Sequence, residues 1–175
     1  MKIGIDLDNV LNNLNEEWLK LYNIKHNDNL TINDIKSWYL HKYTKIGTDV
    51  YNYLTSALFY KLKPQPYSVE VTERLSQNHE LFIVTATAPQ HLETKAYWLQ
   101  EYFPHISVNN LIATQRKDLV NVDLLIDDAA HNIETFPNNT IVLDYAWNKV
   151  LENKYLRAKN WLEIEEIIVK KFDNN

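Results

Sequence analysis

The sequence predicts an α/β fold: a doubly wound parallel sheet with a small helical cap inserted after the first strand. Two patterns support this fold class. Short apolar runs, of the kind buried on both faces of a parallel sheet, alternate with stretches of helical periodicity. Residues 14–63, directly after the first such run, have helical patterns but no convincing strand. Strands that alternate with helices favour parallel pairing through right-handed crossovers.

Two acidic residues follow the first predicted strand. Residues 2–11, K-I-G-I-D-L-D-N-V-L, are mainly apolar, but Asp6 and Asp8 lie in their middle. Carboxylates at the end of a buried strand cost free energy unless a cation or a reacting group needs them. This pair is therefore the first candidate for a functional site.

Three helices are predicted in the insert, residues 14–63. The first begins near Leu14, the second begins at a capping-box pattern of Thr31 and Asp34, and the third begins near Thr48. Their predicted apolar faces are, in order, Leu14, Trp18, Leu21 and Tyr22; Ile35, Trp38 and Tyr39; and Tyr51, Leu54 and Leu58.

Pro64 and Pro66 mark the return of the chain from the insert. We therefore expect a core domain of residues 1–13 and 64–175 and a cap subdomain of residues 14–63. The core domain is predicted to contain further strands at 81–85, 123–126 and 140–143 and at most one strand within 106–113. Helices are predicted over 67–77, from Pro89 and from near Asn160. The helix that begins at Pro89 has one apolar face, formed by Leu92, Ala96, Leu99 and Phe103.

The composition limits the classes of function. The 175-residue chain has 45% hydrophobic residues, enough for a real core in one globular unit. A net charge of −5 argues against broad binding to a nucleic-acid polymer. Because no run approaches the roughly 20 apolar residues of a membrane span and no signal-peptide pattern precedes the first strand, we expect a cytoplasmic protein without membrane contact. The absence of cysteine excludes a thiol nucleophile and a thiolate metal site.

Polar residues recur where the predicted strands end. In an open α/β sheet the ligand site lies beyond the carboxyl ends of the strands. Turn preferences explain each such residue separately, but several carboxylates that meet at one crevice need a cation to join them. The polar residues at or near strand ends are Asp6, Asp8, Thr85, Lys117, Asp127, Asp128 and Asp144.

A hard divalent cation is the natural partner for such a group of acids, and Mg²⁺ commonly binds one or two carboxylates together with phosphate oxygens. The pattern therefore predicts phosphate chemistry. In this interpretation Lys117 and the Thr85 hydroxyl hold phosphate oxygens. Asp6 is the nucleophile that attacks phosphorus, and Asp8 is the general acid and base.

Four motifs resemble those of the haloacid-dehalogenase-like phosphohydrolases, in order and spacing. They are D-L-D-N-V at 6–10, L-F-I-V-T ending at Thr85, Q-R-K-D around Lys117, and L-L-I-D-D ending at Asp128. The helical insert, the L-K-P-Q-P segment and the run D-L-L-I-D-D-A-A-H-N narrow the resemblance to the 5′(3′)-deoxyribonucleotidase family, including its bacterial and phage-type members. The resemblance extends to about Leu143 and implies a haloacid-dehalogenase-like, Rossmann-type core.

The resemblance also implies a metal and catalytic role for each acid. Asp6 becomes both the nucleophile and a ligand of Mg²⁺. Asp8 becomes the general acid and base, and its backbone carbonyl also binds Mg²⁺. Asp128 becomes the side-chain metal ligand, which Asp127 supports.

For the phosphate group, the resemblance implies that Thr85 and Lys117 are its ligands. Two positions depart from the family pattern. Asn9 stands where these enzymes commonly have Gly, but Asn tolerates a left-handed backbone better than most residues. Ala86 stands where close relatives often have Ser, so one phosphate hydrogen bond is either missing or supplied by Thr87.

In this family the insert closes over the substrate. The resemblance implies that Leu14, Trp38 and Tyr39 lie in segments that contact the base, and an aromatic pocket suits a planar nucleobase. Trp and Tyr at helical spacing more often form the core of the cap itself, and this alternative stays open. Beside the acidic pair, His131 is expected to be a loop or hydrogen-bonding residue.

The leading hypothesis is a Mg²⁺-dependent phosphatase that hydrolyses a nucleoside monophosphate through an aspartyl phosphate. An alternative keeps this class but selects another small phosphomonoester, such as a sugar phosphate. A receiver-like signalling domain is disfavoured, because there the acidic pair comes first and the phosphorylated Asp lies on a middle strand. We expect a small-molecule substrate, and a homodimer stays open.

Overall fold

The computed structural model describes residues 1–152 and 154–173. Within them, six parallel strands form one sheet in the order β3-β2-β1-β4-β5-β6. This confirms the predicted α/β class. The strands are β1 (Lys2–Ile5), β2 (Glu80–Thr85), β3 (Leu111–Ala113), β4 (Leu124–Asp127), β5 (Asn139–Leu143) and β6 (Leu156–Ala158).

Helices connect and cover the strands. Pro89 begins α4 as the sequence predicts, and the Asn160 side chain caps α6 by accepting a hydrogen bond from the Glu163 amide at 3.0 Å. No helix of the described residues is long and apolar enough to cross a membrane. The α-helices are α1 (Leu14–His26), α2 (Ser56–Phe59), α3 (Ser68–Leu75), α4 (Pro89–Tyr102), α5 (Ala130–Thr135) and α6 (Trp161–Ile168).

Strand β1 lies in the middle of the sheet, paired with β2 on one side and β4 on the other. The chain builds outward from β1 through β2 to β3 and then returns to place β4 on the other side of β1. The strand order therefore reverses between β1 and β4. In open α/β sheets the crevice at the carboxyl ends of two such strands is the usual ligand site.

Both faces of the sheet are buried, which explains why the strand sequences are continuously apolar. On one face, Ile3 and Ile5 belong to the main core together with Trp161 of α6. On the opposite face, Leu125 packs with Phe136 in a smaller cluster. The rigid centre of the protein is thus the part that carries the strand ends.

The insert differs from the sequence prediction. Helix α1 forms, but the second predicted helix is wrong, because only a 3₁₀ turn forms over Ile32–Asp34. The capping box is present, with the Asp34 carboxylate accepting from the Thr31 amide at 2.8 Å. The next residue, Ile35, is extended (φ −83°, ψ 99°) and buried, so the chain leaves the helix to place this side chain in the core.

The third predicted helix is also divided. A 3₁₀ helix spans Gly47–Tyr53, and α2 begins after Thr55, whose hydroxyl accepts a hydrogen bond from the Leu58 amide. The extended backbone of Thr55 separates the two pieces. Where the insert returns to the sheet, Asn12 and Pro64 form an antiparallel bridge.

Strand β6 was not predicted from the sequence. It is a three-residue edge strand in which the side chain of Arg157 pairs with Asp144 at the end of β5. Its sequence L-R-A is too short and too polar to stand out as an apolar run. Pairing with β5 defines it, because that neighbour supplies the backbone hydrogen-bonding partners.

Candidate active site

The ends of β1 and β4 bring three carboxylates together. Asp6 directly follows β1, and its amide donates to the Ile126 carbonyl at 2.9 Å, which continues the pairing with β4. Asp127 ends β4, and Asp128 follows it. Carboxylate oxygens of these three aspartates lie within 4.8 Å of one another, and all three residues are buried. The structure therefore groups acids that are more than 100 residues apart in sequence.

Lys117 binds two of these acids. Its Nζ atom donates to Asp6 Oδ1 and to Asp127 Oδ2, each at 2.6 Å, and its side chain is almost completely buried. Burial alone would lower the pKa of this lysine, but the attraction of Asp127 and Asp6 outweighs it and raises the pKa above its ordinary value. Lys117 is thus a fixed positive charge at the bottom of the site.

The two acids at the end of β4 differ in their free oxygens. Both oxygens of Asp127 accept hydrogen bonds, from Lys117, from the Asn132 amide group and from the Ala129 backbone. Asp128 Oδ2 accepts from Trp147 Nε1 at 3.1 Å, whereas its Oδ1 is buried and no described residue donates to it. Asp128 therefore has an oxygen available for a ligand, and Asp127 does not.

The electrostatics of this cluster favour a cation. The pKa of Asp6 is raised to about 7, because burial and, to a smaller extent, the nearby Asp127 and Asp8 raise it more than Lys117 lowers it. Burial, followed by repulsion from Asp127 and Asp6, raises the pKa of Asp128 well above its ordinary value. A positive ion beside these carboxylates would relieve the repulsion that keeps them from ionising together.

Asp8 has a different partner, Lys95, which the sequence reasoning missed. Lys95 Nζ donates to Asp8 Oδ2 at 2.5 Å and to Thr85 Oγ1 at 3.2 Å. The predicted apolar face of α4 included Leu92 and Leu99, and Lys95 lies between them at i+3 and i−4. A buried lysine on an apolar helix face needs an anionic partner, so the sequence did contain a signal for this pair.

The loop after β1 has the backbone shape that its unusual residue allows. Asn9 has φ 62°, in the left-handed region that asparagine adopts more readily than other non-glycine residues. Its side-chain oxygen accepts from the Asn15 amide at 2.8 Å, and its carbonyl accepts from the Tyr145 hydroxyl at 2.7 Å. Asn12 completes the loop by donating to Asp8 Oδ1 at 3.1 Å. Asparagine therefore supports this loop where glycine is common in the family.

A stacked aromatic pair connects this loop to the β4 acids. The rings of Tyr145 and Trp147 lie 4.2 Å apart and nearly parallel. The Tyr145 hydroxyl donates a hydrogen bond to the Asn9 carbonyl, and the Trp147 indole donates one to the Asp128 carboxylate. Neither residue was predicted to belong to the site, because both follow β5, and their contacts exist only after β5 has paired with β4.

A cavity of about 270 Å³ opens above the acids. Its acidic end contains Asp6, Asp8 and Lys117. Its other side, the aromatic wall, comes from the insert. The aromatic wall consists of Leu14, Trp18, Trp38, Tyr51 and Leu54.

The structure brings some of the predicted insert residues to this cavity and not others. Leu14 and Trp38 line it, and the Trp38 ring contacts His131 edge-on at 5.1 Å. Tyr39 is 53% exposed, lies beneath the Lys42 ammonium group and does not line the cavity. The two adjacent aromatic residues of this segment therefore differ, since Trp38 lines the cavity and Tyr39 does not.

Two further predicted positions lie beside the acids. Ala86 lines the cavity, and Thr87 lines a neighbouring cavity that also contains Asp8 and Lys95. Asp144, although it follows β5, is bound by Lys149 at 2.7 Å and by Arg157 at 2.6 Å and does not line either cavity. The acid that follows β5 therefore lies outside the group formed by the acids of β1 and β4.

Comparisons with known proteins show the family to which the chain belongs. A family model described as 5′ nucleotidase, deoxy (pyrimidine), cytosolic type C matches residues 1–172. A 5′(3′)-deoxyribonucleotidase of Clostridium acetobutylicum is 39% identical over 168 residues, which cover 94% of this chain and 93% of that protein. The 5′(3′)-deoxyribonucleotidase of Bacillus subtilis is 36% identical over 165 residues, covering 93% and 95%.

Solved structures agree on the fold. A haloacid dehalogenase-like protein of Agrobacterium tumefaciens aligns with a TM-score of 0.67 at 10% identity and covers 97% of each chain. A haloacid dehalogenase hydrolase of Bacillus subtilis, determined bound to magnesium, aligns with a TM-score of 0.56 at 15% identity and covers 95% of this chain and 97% of that one. At these identities the likeness concerns the fold alone.

Proposed function

The chain belongs to the deoxy (pyrimidine) 5′-nucleotidase family of cytosolic type C, and on this premise we propose that it is a phosphatase that hydrolyses (deoxy)ribonucleoside monophosphates to nucleoside and phosphate. One observation carries the proposal: a buried group of acids and lysines at the ends of β1 and β4 opens into a cavity with an aromatic wall. The first part suits a phosphate ester, and the second suits a planar base.

The proposed cofactor is Mg²⁺. Four carboxylates and two lysine side chains meet here, which leaves two formal negative charges for one divalent ion. Asp6 and Asp128 would hold the ion through their side chains and Asp8 through its backbone carbonyl. The buried, unpartnered Asp128 Oδ1 supports this assignment, since hard cations prefer carboxylate oxygens. When bound, Mg²⁺ neutralises negative charge and polarises the phosphate oxygens.

The proposed reaction has two steps on Asp6. In the first, an Asp6 carboxylate oxygen attacks phosphorus, the bond between phosphorus and the ester oxygen breaks, and Asp8 gives a proton to the departing nucleoside oxygen. In the second, Asp8 takes a proton from a water molecule, whose oxygen attacks the phosphorus of the aspartyl phosphate. The bond between phosphorus and the Asp6 oxygen breaks, inorganic phosphate leaves, and both aspartates return to their first state.

The remaining polar residues would bind and position. Lys117 and the Thr85 hydroxyl are the proposed phosphate ligands, and Lys117 is also close enough to Asp6 to hold the nucleophile in place. Lys95 contacts both Asp8 and Thr85, which supports a positioning role for it. The position of the Asp8 carboxylate then depends on α4 as well as on the loop after β1.

We further propose that residues 14–63 act as a cap over a core of residues 1–13 and 64–175. The aromatic wall supports a role of the insert in base binding, with Leu14 and Trp38 as direct contacts. Tyr39 would contact the base only if the insert rearranges when substrate binds. The family description supports a cytoplasmic location, and a homodimer stays a prediction.

A panel of phosphate esters tests the proposal. Release of phosphate from deoxyuridine, deoxycytidine and thymidine 5′-monophosphates is measured beside glucose 6-phosphate and ribose 5-phosphate, all with Mg²⁺. We expect kcat/KM for the nucleotides to be about 10- to 100-fold higher, because only they fill the apolar part of the cavity. If sugar phosphates rank first, the alternative substrate class is correct and the nucleotidase proposal is not.

A further inference from the structure

One polar group in the cavity lacks a partner and is not used by the proposed mechanism. The Ser37 hydroxyl oxygen is buried, and no described residue forms a hydrogen bond with it. Ser37 lines the cavity among residues of the insert. An unpaired buried hydroxyl costs free energy, and such a group in a ligand cavity commonly finds its partner in the ligand.

The local backbone explains why this hydroxyl is free. In a helix a serine commonly bonds the carbonyl three or four residues earlier, and in a turn it commonly bonds the nearby backbone. Ser37 lies in the irregular segment between the 3₁₀ turn Ile32–Asp34 and Leu40, and it forms neither bond. The buried side chains of Ile35 and Leu40 anchor the segment on both sides. Ser37 is thus held in position without using its own hydrogen-bonding capacity.

Most other polar side chains at the cavity are already occupied or exposed, and Asn15 is only half-buried. Asn132 donates to Asp127, and the Trp147 indole donates to Asp128. Gln115 and His131 face solvent. Among the described residues that line the cavity, Ser37 has the buried side-chain hydroxyl without a hydrogen-bond partner, and it belongs to the insert.

We propose that the Ser37 hydroxyl hydrogen-bonds the polar edge of the nucleobase and so selects nucleotides over phosphate esters that lack a base. The inference rests on the proposed function and adds to it a residue that recognises the base. A hydroxyl both donates and accepts, so it serves a base carbonyl or a base amino group equally. Trp38, the next residue, supplies a ring at the same wall, so the pair combines an apolar contact with a polar one.

The test compares two substrates that differ only in the base: deoxyuridine 5′-monophosphate and 2-deoxyribose 5-phosphate. Ser37→Ala is expected to lower kcat/KM for the nucleotide by about 3- to 10-fold, mainly through KM, and to leave the abasic ester unchanged. Ser37→Thr, which keeps the hydroxyl, is expected to stay within about twofold of wild type. Ser56→Ala, in the same insert but outside the cavity, is the matched control.

Several results would overturn the inference. An equal loss for both substrates in Ser37→Ala would assign Ser37 a structural role. No loss for either substrate would show that the hydroxyl does not contact the base. A loss in Ser37→Thr as large as in Ser37→Ala would show that the hydroxyl is not the group that matters.

Failure of the proposed function gives a different result. If the wild-type protein does not hydrolyse deoxyuridine 5′-monophosphate, its binding to wild type and to Ser37→Ala is measured by calorimetry with Mg²⁺. A dissociation constant about 3- to 10-fold higher for the variant than for wild type supports the base contact even without turnover. Equal or absent binding in both proteins overturns it.

Discussion

The acidic end and the aromatic wall of the cavity are built from different kinds of structure. At the acidic end, side chains extend from the ends of central strands and are held by partners far away in sequence, as in the bonds from Lys117 to Asp6 and from Tyr145 to Asn9. The aromatic wall comes from an insert of short 3₁₀ turns and irregular backbone, and Trp38 is 46% exposed.

This difference indicates which substitutions the protein can tolerate at the acidic end and at the aromatic wall. At the acidic end most charges are buried beside another, so the loss of a shared group such as Lys117 leaves its partners unpaired in a low-dielectric site. At the aromatic wall Leu14 and Trp18 are buried, but Trp38, Tyr51 and Leu54 are half-buried or exposed, and a substitution of these three mainly alters contact area. We therefore expect changes at the acidic end to act on kcat and on folding, and changes at the wall to act on KM.

The largest effect is expected for Asp6→Asn. Removal of the proposed nucleophile should lower phosphate release by about 10⁴-fold or more. The variant should fold with an unchanged or slightly higher melting temperature, since burial raises the pKa of Asp6 and thus disfavours its charge. Activity and circular dichroism are measured together. Asp144→Asn, which changes a strand-end acid outside the cavity, is the control and should keep wild-type activity. Full activity in Asp6→Asn would show that Asp6 is not the nucleophile.

Removal of the metal should be nearly as severe. EDTA is expected to reduce turnover to background, and added Mg²⁺ to restore it. Binding should also stabilise the fold, by about 2.7 kcal/mol when Mg²⁺ is present at 100 times its dissociation constant. In thermal melts, the rise in melting temperature on addition of Mg²⁺ should be much smaller for Asp128→Asn than for wild type, because the variant lacks a proposed ligand. Undiminished turnover in EDTA, or an equal rise in both proteins, would contradict the metal assignment.

The two buried lysines should differ. Lys95→Met is expected to lower kcat by about 10²-fold, because Asp8 loses the group that holds it, while stability falls little since Asp8 is partly exposed. Lys117→Met leaves two buried carboxylates unpaired and should cost about 3–5 kcal/mol of stability. Urea unfolding and steady-state kinetics distinguish them, with the exposed Lys149→Met as control. Equal destabilisation by Lys95→Met and Lys117→Met would show that Lys95 is chiefly structural.

The smallest effect is expected at the aromatic wall. Trp38→Leu should raise KM for a nucleotide by about 3- to 10-fold with kcat unchanged, since one aromatic contact is lost. Tyr39→Leu should leave both constants unchanged, because Tyr39 does not line the cavity. If Tyr39→Leu instead matches Trp38→Leu, the insert rearranges on binding and the sequence-based expectation for Tyr39 is correct after all.

The acidic end was more readable from sequence than the aromatic wall. Asp6, Asp8, Thr85 and the pair Asp127–Asp128 follow apolar runs, and parallel strands bring such ends to one edge of a sheet. Asp144 also follows an apolar run, but the rule by itself does not say which strand ends lie at the switch point. The β5 strand lies one position beyond β4, where Lys149 and Arg157 bind the acid at the surface.

The wall was harder to predict because helical spacing and 3₁₀ turns look alike over four residues. Thr31 and Asp34 formed the capping box that their spacing indicates, yet the helix ended at once. Burial of Ile35 outweighed local propensity, and the aromatic residues that follow took separate directions.

Periodicity and strand-end chemistry in the linear sequence were enough to specify the parallel sheet, the order of the acids along it and the kind of ligand they suit, because these features depend on local patterns and on a topology with few alternatives. The partners of those acids depend on long-range packing. Lys95 reaches Asp8 only when α4 crosses above Thr85, and Trp147 reaches Asp128 only when β5 lies beside β4. Contacts between residues distant in sequence follow from how the elements pack, which no local pattern encodes.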